Sequence, residues 1–160
     1  MSPAELAEWV SGWPVGAALR RSVLLYLVVS AAHILAIGLL IGAIVPLDLR
    51  LLGLLGHAPV DVLGPFLTRA AAIGLLLAVA TGFCLFSVRP AAYLANPAFL
   101  AKLALLALGV LNALSLRLGT AWRTALTGGM IALRLRLQAL VSLALWLAAV
   151  LAGRWIGFIG

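Results

Sequence analysis

Four long runs of apolar residues, separated by short charged connections, dominate this chain of 160 residues. Each run is long enough to cross a hydrocarbon core of about 30 Å, because an α-helix rises about 1.5 Å per residue. The apolar share of 66% exceeds the roughly 45–50% of soluble domains, and only 9% of the residues are charged. This composition excludes a soluble enzyme, a disulfide-stapled secreted module and a disordered tail.

The sequence predicts an all-α, integral membrane protein: one domain, residues 1–160, that forms an antiparallel four-helix transmembrane bundle with an N-terminal interfacial amphipathic helix. Ser2-Pro3-Ala4-Glu5 has the pattern of a capping box, and Asn96-Pro97 predicts a second capped helix start. The interfacial helix is predicted at about residues 2–13, and the spans at about 22–46, 68–88, 97–116 and 137–153.

The 11 basic residues outnumber the 4 acidic ones and lie mostly at the ends of apolar runs. There, arginine anchors a helix against anionic headgroups. No basic stripe with interleaved aromatic residues occurs, so we exclude nucleic acid as a partner. The expected partners are the lipid bilayer and either further copies of the chain, as a homo-oligomer, or a larger membrane complex. More arginines lie in the first and third connections than on the other side, which favours termini outside the cytoplasm.

His33 lies near the middle of the first predicted span. One face of this helix carries it together with two other polar residues, at the spacing Tyr26, Ser30, His33 and Ile37. An ionisable residue inside a membrane is costly to bury and often marks a functional site. His33 is therefore a candidate metal ligand, as an axial ligand to haem iron, or a proton donor to a quinone or porphyrin. A structural histidine, hydrogen-bonded to a neighbouring helix, is the alternative.

Lys102 lies within the first two turns of the third predicted span and is the second candidate. It shares a helical stripe with Leu105, Gly109 and Asn112, of which only Asn112 is also polar. The lysine either binds an acidic group such as a propionate or phosphate, or extends its ammonium outward to the headgroups. From helix rise alone, we expect His33 to lie roughly 8 Å deeper than Lys102. The candidate cofactor-binding residues are His33, Lys102, Tyr26, Ser30 and Asn112, and no catalytic residue is assigned.

Other polar and small residues have structural interpretations. Gly38 and Gly42 form a GxxxG step that predicts the close approach of another helix. Asp48 and Arg50 are predicted to mark the end of the first span, and His57 is predicted in a solvated loop. Interhelical hydrogen bonds and packing are expected from the small polar groups and a tryptophan of the second and fourth spans: Thr81, Cys84, Ser87, Gln138, Ser142 and Trp146.

The chain resembles a bacterial family of small four-helix membrane proteins of unknown function. The resemblance rests on four segments: His33, Asp48-Leu-Arg-Leu-Leu-Gly53, Asn96-Pro97-Ala-Phe-Leu-Ala-Lys102-Leu and the closing Trp146…Gly153-Arg154-Trp155-Ile156. More remotely, the chain is similar to the membrane protoporphyrinogen oxidase of the haem pathway and to CopD-like membrane domains.

The resemblance implies a multi-pass protein of the bacterial inner (cytoplasmic) membrane. It also implies a b-type haem or porphyrin near His33, assisted by Lys102, in electron transfer or tetrapyrrole handling. Unlike the oxidase, the chain has no second intramembrane histidine. Any haem would be five-coordinate, ligated by lysine or water, or shared between protomers. The alternative function is a non-enzymatic membrane scaffold or a small subunit of a larger membrane complex.

Overall fold

A computed structural model describes residues 2–55 and 59–159, so His57 lies outside the described residues. The described residues form eight helices: α1 (Pro3–Ser11), α2 (Pro14–Arg21), α3 (Val23–Leu52), α4 (Val60–Phe86), α5 (Pro90–Ala95), α6 (Pro97–Leu118), α7 (Thr120–Leu126) and α8 (Leu133–Ile159). Four of them, α3, α4, α6 and α8, are long and apolar enough to cross a membrane. The predicted all-α class with four candidate spans is confirmed.

The helix starts follow from their first residues. The backbone N–H of Glu5 donates to Ser2 Oγ at 3.2 Å, and the Ser2 N–H donates to Glu5 Oε2 at 2.8 Å. At the start of α6, Asn96 Oδ1 accepts from the N–H groups of Ala98 and Phe99 at 3.0 and 3.3 Å. These bonds satisfy amide groups that have no partner within the helix. Both predicted helix starts are confirmed.

Two prolines lie inside membrane-length helices. The first predicted span is part of α3, which passes through Pro46 and ends at Leu52. Most of the second lies in α4, which begins at Val60, contains Pro65 and ends at Phe86, two residues before the predicted end. Proline removes one backbone hydrogen bond, but neighbouring helices and local side chains can compensate within a membrane. The N-terminal segment instead divides at Pro14, the first residue of α2.

The four long helices pack in the order α4, α3, α8, α6, with α3 between α4 and α8. The backbones of α3 and α4 approach closely at Gly74, where an added Cβ would lie 2.6 Å from the Leu40 nitrogen. Helices α6 and α8 meet at Gly109, which is covered by the Trp146 ring. A Cβ added to Gly109 would lie 3.1 Å from this ring. Glycine therefore sets the separation of both helix pairs.

The GxxxG step of α3 does not take part in this packing. Outside its own helix backbone, a Cβ added at Gly38 or Gly42 would meet no atom of the described residues within 4 Å. Both glycines are exposed on the outer surface of the bundle. No other helix among the described residues therefore makes the predicted approach at this step.

Helices α4 and α6 lack the extensive backbone packing of the other neighbouring pairs in the described part of the chain. The space between them, here called the α4–α6 seam, is closed by aromatic side chains at its two ends. At one end the rings of Phe86 and Phe99 stack, with centroids 5.5 Å apart and planes 3° from parallel. At the other end, Trp122 of α7 lies 2.9 Å from the position of a Cβ on Gly64. Between these two ends, side chains of both helices pack against one shared apolar cluster, formed by Leu40, Ile44 and Trp146.

Candidate functional site

A hydrogen bond between helices fixes the imidazole of His33. Its Nδ1 lies 2.9 Å from Thr81 Oγ1 of α4. The Thr81 hydroxyl donates its one hydrogen to the Leu77 carbonyl at 2.6 Å, so Oγ1 accepts from the Nδ1–H of His33. In the neutral imidazole, Nε2 then has a free lone pair. From the sequence, His33 is either a structural histidine or a ligand to haem iron, and this hydrogen bond is compatible with both.

Gly82 of α4 also shapes the surroundings of the imidazole. It leaves room for the ring, because an added Cβ would lie 3.0 Å from His33 Cε1. His33 itself is half-buried. One turn of α4 therefore sets both the orientation and the tautomer of the histidine.

Lys102 lies at nearly the same level of the bundle as His33. Thr81 precedes Phe86 by five residues and Lys102 follows Phe99 by three, which correspond to about 7.5 and 4.5 Å of helix rise. Counted from the Phe86–Phe99 stack, helix rise places the two candidates about 3 Å apart in depth, against about 8 Å when the count starts from the predicted spans.

The Lys102 side chain is half-buried against α8. Its Cδ, Cε and Nζ atoms lie 3.4 Å from the position of a Cβ on Gly153. Lys102 thus contacts α8, whereas His33 contacts α4, and the two candidates lie in the same half of the bundle.

The remaining candidates divide into two groups. Ser30 is half-buried and Tyr26 is 41% exposed, and both share the His33 face of α3. Tyr26 also lies near Tyr93 of α5, whose pKa is raised, first by burial and then by Tyr26. Asn112 lies apart, since its Nδ2 donates to the Gln138 carbonyl of α8 at 3.0 Å.

Aromatic residues line the end of the bundle that holds His33 and Lys102. They form a chain in which neighbouring ring centroids lie 4.9–6.2 Å apart, linking α1 through α4 and α5 to α6. Its members are Trp9, Trp13, Phe83, Phe86, Tyr93 and Phe99. Flat apolar rings therefore flank the site on the side facing the ends of the spans.

Asp48 is a buried polar residue whose environment the sequence did not reveal. Its side chain is only 4% exposed, because α3 continues past it and packs against α8. The Ser142 hydroxyl hydrogen-bonds to the carboxyl group. Among the described residues, Asp48 Oδ2 has no hydrogen-bond partner. In the sequence, an aspartate near a predicted span end looks the same whether it marks the end of the span or is buried between helices. Only the packing of α8 shows that Asp48 is buried.

The other polar residues of α4 and α8 were predicted to bond between helices, and the outcome is mixed. Gln138 Nε2 donates to Ser115 Oγ of α6 at 3.0 Å, which is such a bond. Ser87 Oγ instead donates to the Cys84 carbonyl of its own helix at 2.6 Å. The described residues contain no group of three or more histidine, cysteine or acidic side chains suited to a metal.

Comparison with known proteins identifies the family but no function. Neither the curated proteins nor the solved structures contain a match to the chain. The model of DUF6644, described as a family of unknown function, matches residues 16–159. The match includes all four candidate spans together with His33 and Lys102. The chain therefore belongs to the DUF6644 family.

Proposed function

We propose that the protein binds a b-type haem or a related porphyrin at the α4–α6 seam and serves in electron transfer or tetrapyrrole handling. His33 Nε2 is the proposed iron ligand, and Lys102 is proposed to pair with an acidic group of the ligand. The observation that carries the proposal is the His33–Thr81–Leu77 hydrogen-bond chain, which leaves the Nε2 lone pair free inside the membrane domain.

The residues present fit such a ligand in three respects. Metal-bound histidines generally donate their other ring N–H to a neighbouring acceptor, as His33 Nδ1 does to Thr81. A porphyrin carries propionates, and the Lys102 ammonium is a cation at nearly the same depth. The seam next to them lacks extensive helix packing and is bordered by the flat rings of Phe86 and Phe99.

When bound, a haem would supply one-electron redox chemistry. The chain itself would hold and orient it: Thr81 fixes the imidazole, and the apolar helix faces exclude water. His33 would be the one histidine that holds the iron, and any further ligand would have to come from water, Lys102 or a residue of another copy. No catalytic role is proposed for any of these residues.

The test is a dithionite-reduced minus air-oxidised absorbance spectrum of the detergent-purified protein after expression with ample haem. We expect a Soret and an α-band that disappear in His33→Ala. His57→Ala is the matched control, because it removes the other histidine of the sequence, and its spectrum should equal that of the wild type. A flat wild-type spectrum, or bands that survive in His33→Ala, would overturn the proposal.

We further propose that the protein resides in the bacterial inner membrane with its termini on the periplasmic side. The support is the distribution of arginines, which favours the connections α3–α4 and α6–α8 as cytoplasmic. Labelling of single cysteines introduced at Ser2 and Arg123, in a Cys84→Ala background, tests this orientation. A membrane-impermeant thiol reagent should reach position 2 from the periplasm and position 123 only after permeabilisation.

One observation favours the alternative of a scaffold or small subunit. Gly38 and Gly42 present a small-residue step on the outside of α3. Such steps allow close helix association in membranes. If a second helix packs there, Gly42→Ile should abolish co-purification of a partner, whereas Gly157→Ile on exposed α8 should not. A monodisperse monomer with haem bands would favour the first proposal over this one.

A further inference from the structure

The end of the bundle opposite His33 has a basic pocket of about 720 Å³. It is bounded by the C-terminal end of α3, by α7, and by the segment that leads into α8. Arg50 and Arg136 contribute its positive charge, while Met130, Ile131 and Leu133 contribute apolar surface. The pocket is separate from the proposed haem site and shares no residue with it.

The position of the pocket relates it to the membrane. Arg50 lies in the last turn of one candidate span and Arg136 in the first turns of another. The ends of such helices lie near the boundary between hydrocarbon and headgroups. Met130 is 92% exposed and Leu133 is 71% exposed. Exposed apolar side chains next to guanidinium groups match a molecule with an acidic head and an apolar tail.

The two arginines differ in how they are held. Arg50 is half-buried and already engaged in an interaction within the chain. The Arg136 side chain is exposed, and across residues 2–55 and 59–159 it has no side-chain hydrogen bond or ion pair. Guanidinium groups bind phosphate oxygens through paired N–H donors. Of the two arginines, Arg136 is therefore the one whose guanidinium is available to an anionic ligand in the pocket.

We infer that this pocket binds the phosphate headgroup of an anionic phospholipid, with Arg136 pairing with the phosphate and the apolar rim contacting the acyl chains. Basic pockets between membrane helices are suited to such headgroups. The apolar rim distinguishes a lipid from a free phosphate, which gains nothing from Met130 or Leu133. A bound lipid would also tie the end of α3 to the start of α8.

The experiment measures lipid binding to the detergent-purified full chain by native mass spectrometry with added phosphatidylglycerol. Arg134 provides a matched control, because it is equally exposed but lies two residues away, on the opposite side of α8, and does not line the pocket. Arg136→Gln should weaken phosphatidylglycerol binding about fivefold, the size expected for one arginine at an anionic membrane surface. Arg134→Gln should leave it unchanged.

Phosphatidylcholine and inorganic phosphate separate the remaining sources of affinity. The inference predicts that neither binds appreciably, since one lacks net charge and the other lacks acyl chains. Equal losses in Arg134→Gln and Arg136→Gln would overturn it in favour of general surface charge. Binding of inorganic phosphate as tight as that of phosphatidylglycerol would overturn the lipid in favour of a small anion.

Discussion

Replacing Gly74 by alanine should destabilise the bundle, because the α3–α4 crossing has no room for a methyl group. The added Cβ would lie 2.6 Å from the Leu40 nitrogen, 2.9 Å from Leu40 Cα and 3.1 Å from the Ala36 carbonyl oxygen. All three are backbone atoms, so no side chain can rotate away. The helices must separate locally, and overpacking of this kind costs about 1–3 kcal/mol.

Gly42→Ala is the matched control on the partner helix. Its Cβ would meet no atom within 4 Å. Both substitutions gain about the same helix propensity, roughly 0.8–1 kcal/mol, so this gain cancels between them. The difference between the two variants is then the overpacking cost itself, about 1–3 kcal/mol in favour of Gly42→Ala.

The assay is equilibrium unfolding of the detergent-solubilised protein by sodium dodecyl sulfate, followed by tryptophan fluorescence and circular dichroism. Gly74→Ala should unfold at a lower detergent fraction than the wild type, and Gly42→Ala at an equal or higher one. Equal unfolding midpoints for the two variants would refute the argued packing of α3 on α4. A strong loss in Gly42→Ala alone would show that the outer face of α3 is covered by another chain.

Substitutions at Thr81, Asp48 and Arg20, each with a comparison variant, test particular contacts. Thr81→Val removes the acceptor of the His33 N–H and should weaken haem affinity about 10–100-fold, while Thr81→Ser should retain it, as a haem titration would show. Asp48→Asn should leave the free energy of unfolding nearly unchanged or raise it, because the amide keeps the shape and a hydrogen bond. Asp48→Ala should lower that free energy by about 1–3 kcal/mol. A larger loss of stability in Asp48→Asn than in Asp48→Ala would contradict the burial of this side chain. Arg20 donates to carbonyl groups of α1 and of the α4 end at 2.9–3.2 Å, so Arg20→Gln should lower the unfolding midpoint more than the neighbouring Arg21→Gln.

The helices of this protein follow closely from the sequence. Long apolar runs give the four candidate spans, because backbone groups in a membrane must be satisfied within a helix. The starts at Ser2 and Asn96 follow from side chains that cap free amides. The helix ends are less predictable. Pro46 and Pro65 look like breakers, yet α3 and α4 include them.

The arrangement of the site was only partly predictable. An intramembrane histidine and lysine stand out because such groups are costly in hydrocarbon. The residues that contact them do not stand out in the sequence. Which residues of α4 and α6 lie at the same depth depends on contacts such as the Phe86–Phe99 stack. For the same reason the sequence could not pair Thr81 with His33.

The glycines show most clearly how a sequence pattern can differ from the observed helix packing. The GxxxG step of α3 has the sequence of a helix contact, but its glycines face outward. The contacts within the chain instead use isolated glycines, Gly74 and Gly82 of α4 and Gly109 of α6. Each lies opposite a specific backbone segment or ring, and this correspondence exists only once the helices are placed side by side.

The proposed ligation of a haem iron by His33 Nε2 is best tested by titrating the purified, haem-free protein with haemin and following the Soret band. We expect saturation at about one haem per chain for the wild type and for His57→Ala, and no specific binding for His33→Ala. Lys102→Gln should saturate at the same stoichiometry with lower affinity. Identical titrations of the wild type and His33→Ala would contradict the claim.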